Sequence, residues 1–305
     1  MLRYTLMRCL SALVVILGVV TVIFFTARLA GDPVLLMIEP GATEQEVQEL
    51  REVFGLDRPL PEQFVNFLTG AVTGDFGDSL RQRRSAFDVA LERLPATLLL
   101  VVSAVAFAVV SALILGITAA IYKDSWLDRA AMSLSVIGQS IPNFWLGLML
   151  ILVMSTTFRL LPSAGIGTFW NLILPVITLA SFPTAQLSKL VRNELLQALN
   201  ADYVRAARAK GVSETAIVLR HALGNISLPL ITIVAVDFGS MMGGAVVTET
   251  VFAWPGTGRL MIQAIGARDF PIIQASAFII AGIVVVTTLL ADIAYALVNP
   301  KIRYA

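Results

Sequence analysis

The sequence predicts an all-α membrane protein with six transmembrane helices, and two observations support this fold class. The first is composition: the 305 residues are 57% hydrophobic and 14% charged, whereas soluble domains carry roughly 25% charged residues. The second is a succession of apolar stretches, each about as long as a bilayer core requires. They are approximately residues 9–27, 96–122, 130–157, 170–187, 226–248 and 273–298. The net charge of +1 gives no indication of a nucleic-acid partner.

The first apolar stretch, Cys9 to Ala27, predicts a retained helix (residues 1–30) that begins in the cytoplasm. Arg3 and Arg8 precede it, and basic residues favour the cytoplasmic side of a membrane. The stretch is too long for the apolar region of a signal peptide, and it lacks the small residues of a cleavage site. Cys9 is the single cysteine, which excludes an internal disulfide and a cysteine metal cluster.

Residues 31–95 predict a large insert outside the membrane. Proline and glycine interrupt this segment repeatedly. Thr43 and Glu46 form a capping-box pattern at the start of one short helix, and a second short helix follows Pro61. Both are too short to span a bilayer, so we expect their apolar faces to lie on the membrane domain or at the lipid interface. The GDFGDSL motif at residues 74–80 indicates a loop.

Residues 96–305 carry the other five spans, and six spans place both ends of the chain on one side. Pro142 interrupts the third span, where we expect a kink. Basic residues test the orientation, because they concentrate in short cytoplasmic loops. The two short loops on the opposite side contain three of them, Arg159, Arg259 and Arg268. The side of the termini contains twelve: Arg3, Arg8, Lys123, Arg129, Lys189, Arg192, Arg205, Arg208, Lys210, Arg220, Lys301 and Arg303. We therefore expect cytoplasmic termini and an extracytoplasmic insert.

Residues 201–228, here called the inner loop, form a polar and basic segment between the fourth and fifth spans. Asn200 or Asp202 is the expected cap of a first helical piece that ends at Gly211, a residue suited to the left-handed conformation that closes helices. Ser213 is the expected cap of a second piece, which continues to Pro229. This unit has too little apolar surface to fold alone. We therefore expect it to dock against a partner in the cytoplasm.

Asp237 is the deepest ionisable residue within the predicted spans. A charged side chain at mid-membrane costs about 2.5–3.5 kcal/mol on insertion scales, so such residues usually have a function or a partner. Asp237 is a candidate for the lining of a substrate path, where the amino terminus of a peptide would pass. A hydrogen bond to a neighbouring helix or a partner subunit is the alternative. Asp292, near the inner end of the sixth span, is expected to be structural.

Three further residues of the fifth span are candidates for the same path. Glu249 lies at its outer end, where it would act in gating or pair with Arg259 or Arg268. Met241 and Met242 offer an adaptable lining, although ordinary packing accounts for them equally well.

The sequence lacks the motifs of several enzyme classes. No phosphate-binding loop of the G-x-x-x-x-G-K-[ST] type is present, so the chain is not expected to hydrolyse ATP. The single histidine, His221, has no carboxylate or cysteine cluster at ligand spacing, and no metal site is predicted. A self-contained secondary transporter would show paired repeats with interrupted helices. No such halves are evident, although Pro142 and Pro183 leave the possibility open.

The inner loop resembles the EAA-type coupling loop of ABC importer permeases. Ala206, Ala207 and Gly211 match its Ala-Ala-x-x-x-Gly core, while Arg205 stands where the motif usually has glutamate. The longer form RAARAKG…RHALGN…LP is similar to the peptide and nickel branch. Further motifs resemble the dipeptide permease B-type subunit over essentially the whole chain: GDPV, FGLDRPLP, GDFGDS, RLPAT, SIPNFWLG, ETVFAWPGTGRL, ARDFPIIQ and NPKIRY.

This resemblance implies a type I ABC importer permease fold in a bacterial inner membrane. It implies a homologous second permease subunit, two ATPase subunits that bind ATP and Mg, and an extracytoplasmic substrate-binding protein. The cargo would be di- or oligopeptides, with nickel or another small solute such as a glutathione-like peptide as the alternative. The ATPase would contact Tyr203, Arg205, Ala206, Ala207, Lys210, Gly211, Ser213 and Glu214.

Overall fold

The computed structural model describes residues 2–29, 43–53, 56–79 and 81–298, and these are almost entirely helical. The helices are α1 Leu2–Leu29, α2 Glu44–Val53, α3 Leu60–Thr73, α4 Ala86–Ile121, α5 Trp126–Ser140, α6 Asn143–Leu150, α7 Phe169–Leu199, α8 Asp202–Ala209, α9 Glu214–Ala216, α10 Leu223–Val251, α11 Thr257–Ala267 and α12 Phe270–Val298. Helix α6 continues as a π-helix over Ile151–Thr157, and α9 continues as a π-helix over Ile217–Ala222. The predicted all-α class is confirmed.

Five of the described helices are long and apolar enough to cross a membrane: α1, α4, α7, α10 and α12. The region of the predicted third span is a broken pair, in which α5 and the helix from Asn143 to Thr157 meet at 106°. The break lies at Ile141 and Pro142, and Pro142 has no amide hydrogen to continue the hydrogen bonding of α5. The kink predicted at Pro142 is confirmed. The bent pair counts as a sixth span only if its two arms cross the membrane together.

Two helices extend beyond the predicted spans and contain a proline. Helix α4 begins at Ala86 and contains Pro95, and the predicted start at Ala96 is too late. Helix α10 begins at Leu223, directly after the π-helix, and contains Pro229. Proline is tolerated inside long apolar helices because neighbouring helices and local changes of helix type satisfy the freed backbone groups. Helix α7 also extends past the predicted end at Leu187, as far as Leu199.

Helix α7 is the centre of the bundle. It packs against α4, α5 and α10, and more than half of its apolar window is buried. The approach of α4 and α7 is close at Gly116, where a Cβ atom would lie 2.7 Å from the Val191 side chain. The main core cluster joins α4, α7 and α10 through residues such as Leu100, Leu179 and Ala245.

Helices α1 and α12 pack together with the start of α1 beside the end of α12. At this end Arg8 forms an ion pair with Asp292 at 3.1 Å, in keeping with the structural role expected for Asp292. At the other end, Phe24 of α1 contacts Phe64 and Phe67 of α3. The beginning of α1 and the end of α12 therefore lie at the same end of the bundle.

The described part of the insert packs on the end of the bundle opposite the inner loop, which we call the outer end. Phe76, in the loop after α3, contacts Phe67 and also Phe278 of α12. The Ser79 hydroxyl donates a hydrogen bond of 2.5 Å to the buried carboxylate of Asp269, which precedes α12. The prediction that the short helices lie on the membrane domain is confirmed for α3. Helix α2 begins at Glu44 as predicted, but the Glu46 side chain of its capping box lies outside the described residues, as do residues 30–42 and the NPKIRY motif.

Candidate functional site

The inner loop contains two helical pieces separated by a glycine turn. Gly211 has φ +77°, the left-handed conformation that the sequence predicts. The Ser213 hydroxyl accepts a hydrogen bond of 3.4 Å from the Ala216 amide, so its predicted capping role is confirmed. The predicted cap of the first piece is wrong: Ala201 occupies that position without a side-chain hydrogen bond, and Asn200 instead closes α7. Val204 is fully buried, and α8 contacts the π-helix Ile217–Ala222.

An ion pair between Arg208 and Glu214 bridges the two sides of the turn at Gly211. The Arg208 guanidinium donates to both carboxylate oxygens of Glu214, at 2.6 Å and 3.1 Å. This hydrogen bonding, together with the positive charge, lowers the pKa of the Glu214 carboxyl against the opposing effect of desolvation. Sequence reasoning placed Glu214 in the site but missed Arg208. A signal existed, since the two opposite charges flank the predicted turn at Gly211.

The remaining predicted loop residues form an exposed and largely basic surface. Arg205 is 73% exposed at its side chain and forms an ion pair within its own helix, at 3.4 Å to Asp202. Tyr203, Ala206 and Lys210 are also exposed, whereas Ala207 is half-buried. The small alanine side chains allow another surface to approach the helix backbone closely.

The second piece of the inner loop is joined rigidly to the bundle. One continuous helix begins at Glu214, passes through the π-helix into α10 and ends at Val251. Ile217, Val218 and Ala222 of the π-helix are buried. Val218 and Ala222 pack in a cluster with Val191 and Leu195 of α7. Any displacement of this part of the loop therefore acts directly on α7 and α10.

The predicted path residues of α10 lie in three different environments. Asp237 is 7% exposed, and its Oδ2 atom has no hydrogen-bond partner among the described residues. Met241 and Met242 are buried in the main core cluster between α10, α4 and α7. Glu249 is completely buried at the outer end of α10. The structure does not bring these four residues together on one face.

The buried Glu249 carboxylate organises the start of α11. The Thr97 hydroxyl donates to its Oε1 atom at 2.6 Å, and the Arg259 backbone amide donates to its Oε2 atom at 2.9 Å. Glu249 thus contacts Arg259, one of the two expected partners, but through the backbone, while the Arg259 guanidinium donates to the Ala253 carbonyl. A carboxylate at a helix N-terminus is favourable because it accepts from unpaired amides and offsets the helix dipole.

The same region joins two motifs that are far apart in sequence. The Trp254 indole donates a hydrogen bond of 2.8 Å to the Ala96 carbonyl, and the Thr257 amide donates to the Thr97 hydroxyl at 2.9 Å. Only glycine fits at position 256, because a Cβ atom there would collide with the Glu249 carboxylate. We call Thr97, Glu249, Trp254 and Thr257 the outer node.

The described helices form a bundle with five or six apolar spans, and an exposed basic loop connects two of its central helices. This is the architecture of a multi-pass membrane protein. The chain belongs to the family described as "Binding-protein-dependent transport system inner membrane component", which matches residues 112–304. The N-terminal component of the same kind of protein matches residues 1–101.

Curated relatives extend the match over the whole chain. The chain is 39% identical over 305 residues to the glutathione transport system permease protein GsiC of Escherichia coli strain K12, with full coverage of both proteins. It is 38% identical over the same length to GsiC of Salmonella typhi, again with full coverage. It is therefore a multi-pass inner-membrane permease subunit of an ABC importer, and separate subunits hydrolyse ATP.

Solved structures show the same fold. An inward-facing structure of the MetNI methionine ABC transporter aligns with a TM-score of 0.59 at 18% identity, covering 69% of this chain and 96% of that chain. An amino acid ABC transporter solved with histidines aligns with a TM-score of 0.52 at 20% identity, covering 72% and 94%. Membership of this family implies a partner permease, ATPase subunits and a substrate-binding protein.

Proposed function

We propose that this subunit forms half of the translocation path of an importer for short peptides and contacts one ATPase through residues 201–228. The observation that carries the proposal is the continuous helix from Glu214 to Val251, which joins the exposed loop to the centre of the bundle. When ATP closes the ATPase dimer, the docked loop would move as a rigid body and tilt α7 and α10. Tilting packed helices between two arrangements is a known way to switch access to a cavity.

The cargo proposed first is a di- or oligopeptide. The second candidate is glutathione, which is itself a tripeptide, and it is favoured by the names of the relatives at 39% identity. Asp237 supports a peptide, because its buried Oδ2 atom has no hydrogen-bond partner among the described residues and would suit a positively charged amino terminus. Nickel is the remaining alternative.

The proposed orientation places the inner loop and both termini in the cytoplasm. The excess of basic residues on that side supports it. The insert, residues 31–95, then faces outward, where it would offer part of the docking surface for the substrate-binding protein.

Uptake by the complete transporter tests the cargo. Both permeases, both ATPases and the binding protein are reconstituted in liposomes with ATP, and the accumulation of a labelled dipeptide, glutathione and Ni²⁺ is compared. We expect ATP-dependent uptake of the dipeptide or of glutathione. Uptake of Ni²⁺ alone would replace the peptide assignment, and uptake by this chain without ATPases would overturn the proposed coupling.

Cross-linking tests the contact with the ATPase. Because Cys9 is the single cysteine, a Cys9→Ser background allows one probe position to be introduced by Ala206→Cys. We expect a short cysteine-directed cross-linker to join this position to an ATPase subunit. Val72→Cys, at a position that is also exposed but lies in the insert, is the matched control and should give no such product. A product from the control alone would reverse the proposed orientation.

A further inference from the structure

We infer that Lys189 of α7, together with Gln139 of α5, binds the carboxylate of the transported peptide on the inner half of the path. This inference rests on the proposed peptide cargo. Neither residue belongs to the inner loop or to the candidates on α10.

Helix α7 is buried but comparatively polar. It is the most buried of the five candidate spans, yet it also has the lowest mean hydropathy. Its outer half is enclosed by neighbouring helices, and the residues from Leu174 to Val176 are all buried. From Phe182 inward one face opens: Phe182 is 41% exposed, and Gln186, Lys189 and Asn193 are partly or fully open. Spacings of three and four residues place these four side chains on the same face of the helix.

Polar side chains of α5 and α6 meet this face of α7. The Lys189 ammonium donates a hydrogen bond of 2.7 Å to the Gln139 amide oxygen. Gln139 lies in the last turn of α5, directly before the 106° break. Beyond the break, the Asn143 side-chain oxygen accepts a hydrogen bond of 3.2 Å from the Ser181 hydroxyl, also on α7. The bend therefore brings polar side chains from both arms of the pair onto α7.

Lys189 and Arg192, one turn further along α7, differ in whether a carboxylate pairs with them. Arg192 donates to both oxygens of Asp128, each at 2.7 Å, and its charge is thereby neutralised. No carboxylate of the described residues lies within ion-pair distance of Lys189. An amide oxygen orients an ammonium group but does not neutralise it.

Lys189 lies two residues beyond the predicted inner end of the fourth span at Leu187 but within the helix Phe169–Leu199, and it has no carboxylate partner among the described residues. An ammonium group at the inner part of a span is unfavourable against lipid tails. Such residues face a water-filled cavity or a partner, and they often mark the route of a substrate. The anion that every unmodified peptide carries is its carboxyl-terminal carboxylate. Lys189 therefore supplies the positive charge that binds this carboxylate, and Gln139 orients the ammonium group when no substrate is bound. A carboxylate of the second permease is the competing source of the anion.

Measurements of equilibrium binding distinguish the carboxylate of a peptide from a carboxylate of the second permease. The complete complex of both permeases and both ATPases is placed in phosphatidylcholine nanodiscs without binding protein, and binding of labelled dialanine and dialaninamide is measured. We expect wild type to bind dialanine, Lys189→Met to weaken this binding about tenfold, and Lys189→Arg to restore most of it. Binding of dialaninamide should not change. Lys123→Met, at an exposed lysine in the turn after α4, is the matched control and should bind like wild type.

The outcomes that overturn the inference are distinct from failure of the proposed function. Equal binding of dialanine by wild type and Lys189→Met overturns it, and so does the absence of measurable binding to wild type. Loss of co-purification of the second permease with Lys189→Met assigns the lysine to the subunit interface instead. The peptide cargo itself fails only if the reconstituted wild-type transporter imports neither peptide.

Discussion

The two ends of this subunit are built differently. At the outer end, the Glu249 carboxylate is completely buried and accepts hydrogen bonds from the Thr97 hydroxyl and the Arg259 amide. At the inner end, the Arg208 and Glu214 pair is open to solvent, with side-chain exposures of 43% and 65%. The Glu249 carboxylate is therefore enclosed by this chain, whereas the ion pair of the inner loop is in contact with water.

Because of this difference, we expect the outer node to matter mainly for folding stability and the inner loop mainly for the proposed coupling to the ATPase. Buried polar groups are costly to leave unpaired, so the outer node contributes strongly to the fold. Exposed ion pairs contribute little, because water and salt screen them. The inner loop is accordingly expected to tolerate substitution in the folded subunit while remaining sensitive in transport. Four predictions test this contrast.

The largest effect on stability is expected from Glu249→Ala. The substitution leaves a hydroxyl and an amide without their acceptor and opens a cavity in the outer node, which together cost about 4 kcal/mol. We expect the purified subunit complex to melt at a clearly lower temperature and to accumulate poorly in membranes. Glu214→Ala at the inner loop is the control and should melt close to wild type. Equal losses in both variants would remove the contrast between the two ends.

Arg192→Met is expected to have the next largest effect. Asp128 would keep its hydrogen bond from the Asp124 amide but lose both bonds from the guanidinium. Breaking a fully buried ion pair costs about 3–5 kcal/mol, and about 2–3 kcal/mol is expected here because Arg192 is partly open to solvent. The double variant with Asp128→Leu should recover part of the lost thermal stability. No recovery would show that Arg192 acts by packing rather than by charge.

Gly211→Val is expected to abolish transport without preventing the subunit from folding into the membrane. A β-branched residue is strained at φ +77°, at a cost of about 1–2 kcal/mol, although no atom lies within 4 Å of its Cβ position. We expect uptake by the reconstituted transporter to be abolished while membrane insertion stays intact. Gly224→Ala is the control, because this glycine is helical and equally uncrowded. Normal uptake by the Gly211→Val transporter would contradict the coupling role of the inner loop.

The smallest effect is expected from acid titration of Glu214. Because Arg208 lowers the pKa of this carboxyl, the pair stabilises the turn at pH values above the ordinary glutamate pKa. This contribution is lost as the pH falls through the lowered pKa of the folded state. Hydrogen exchange of a peptide that covers Gly211 should therefore rise at acid pH relative to Glu214→Gln, in which the ion pair is absent at every pH. Identical profiles of the two proteins would show that the pair does not hold the turn.

Local chemistry explains what could be predicted at the inner loop. The left-handed turn at Gly211 and the cap at Ser213 depend on a few neighbouring residues, and both are confirmed. The start of the second span, predicted after Pro95, is too late, and α10 likewise continues through Pro229, because packing inside a bundle of apolar helices satisfies the backbone groups that proline frees.

The sequence by itself determined the class of protein: apolar stretches of bilayer length, the break at Pro142 and the turn at Gly211 all follow from composition and short-range backbone preferences. Only the tertiary structure decided which polar groups meet. The bonds of Glu249 with Thr97, of Asp128 with Arg192 and of Lys189 with Gln139 join residues 50 to 152 positions apart. Such contacts depend on how whole helices pack, and no local pattern in the chain specifies them.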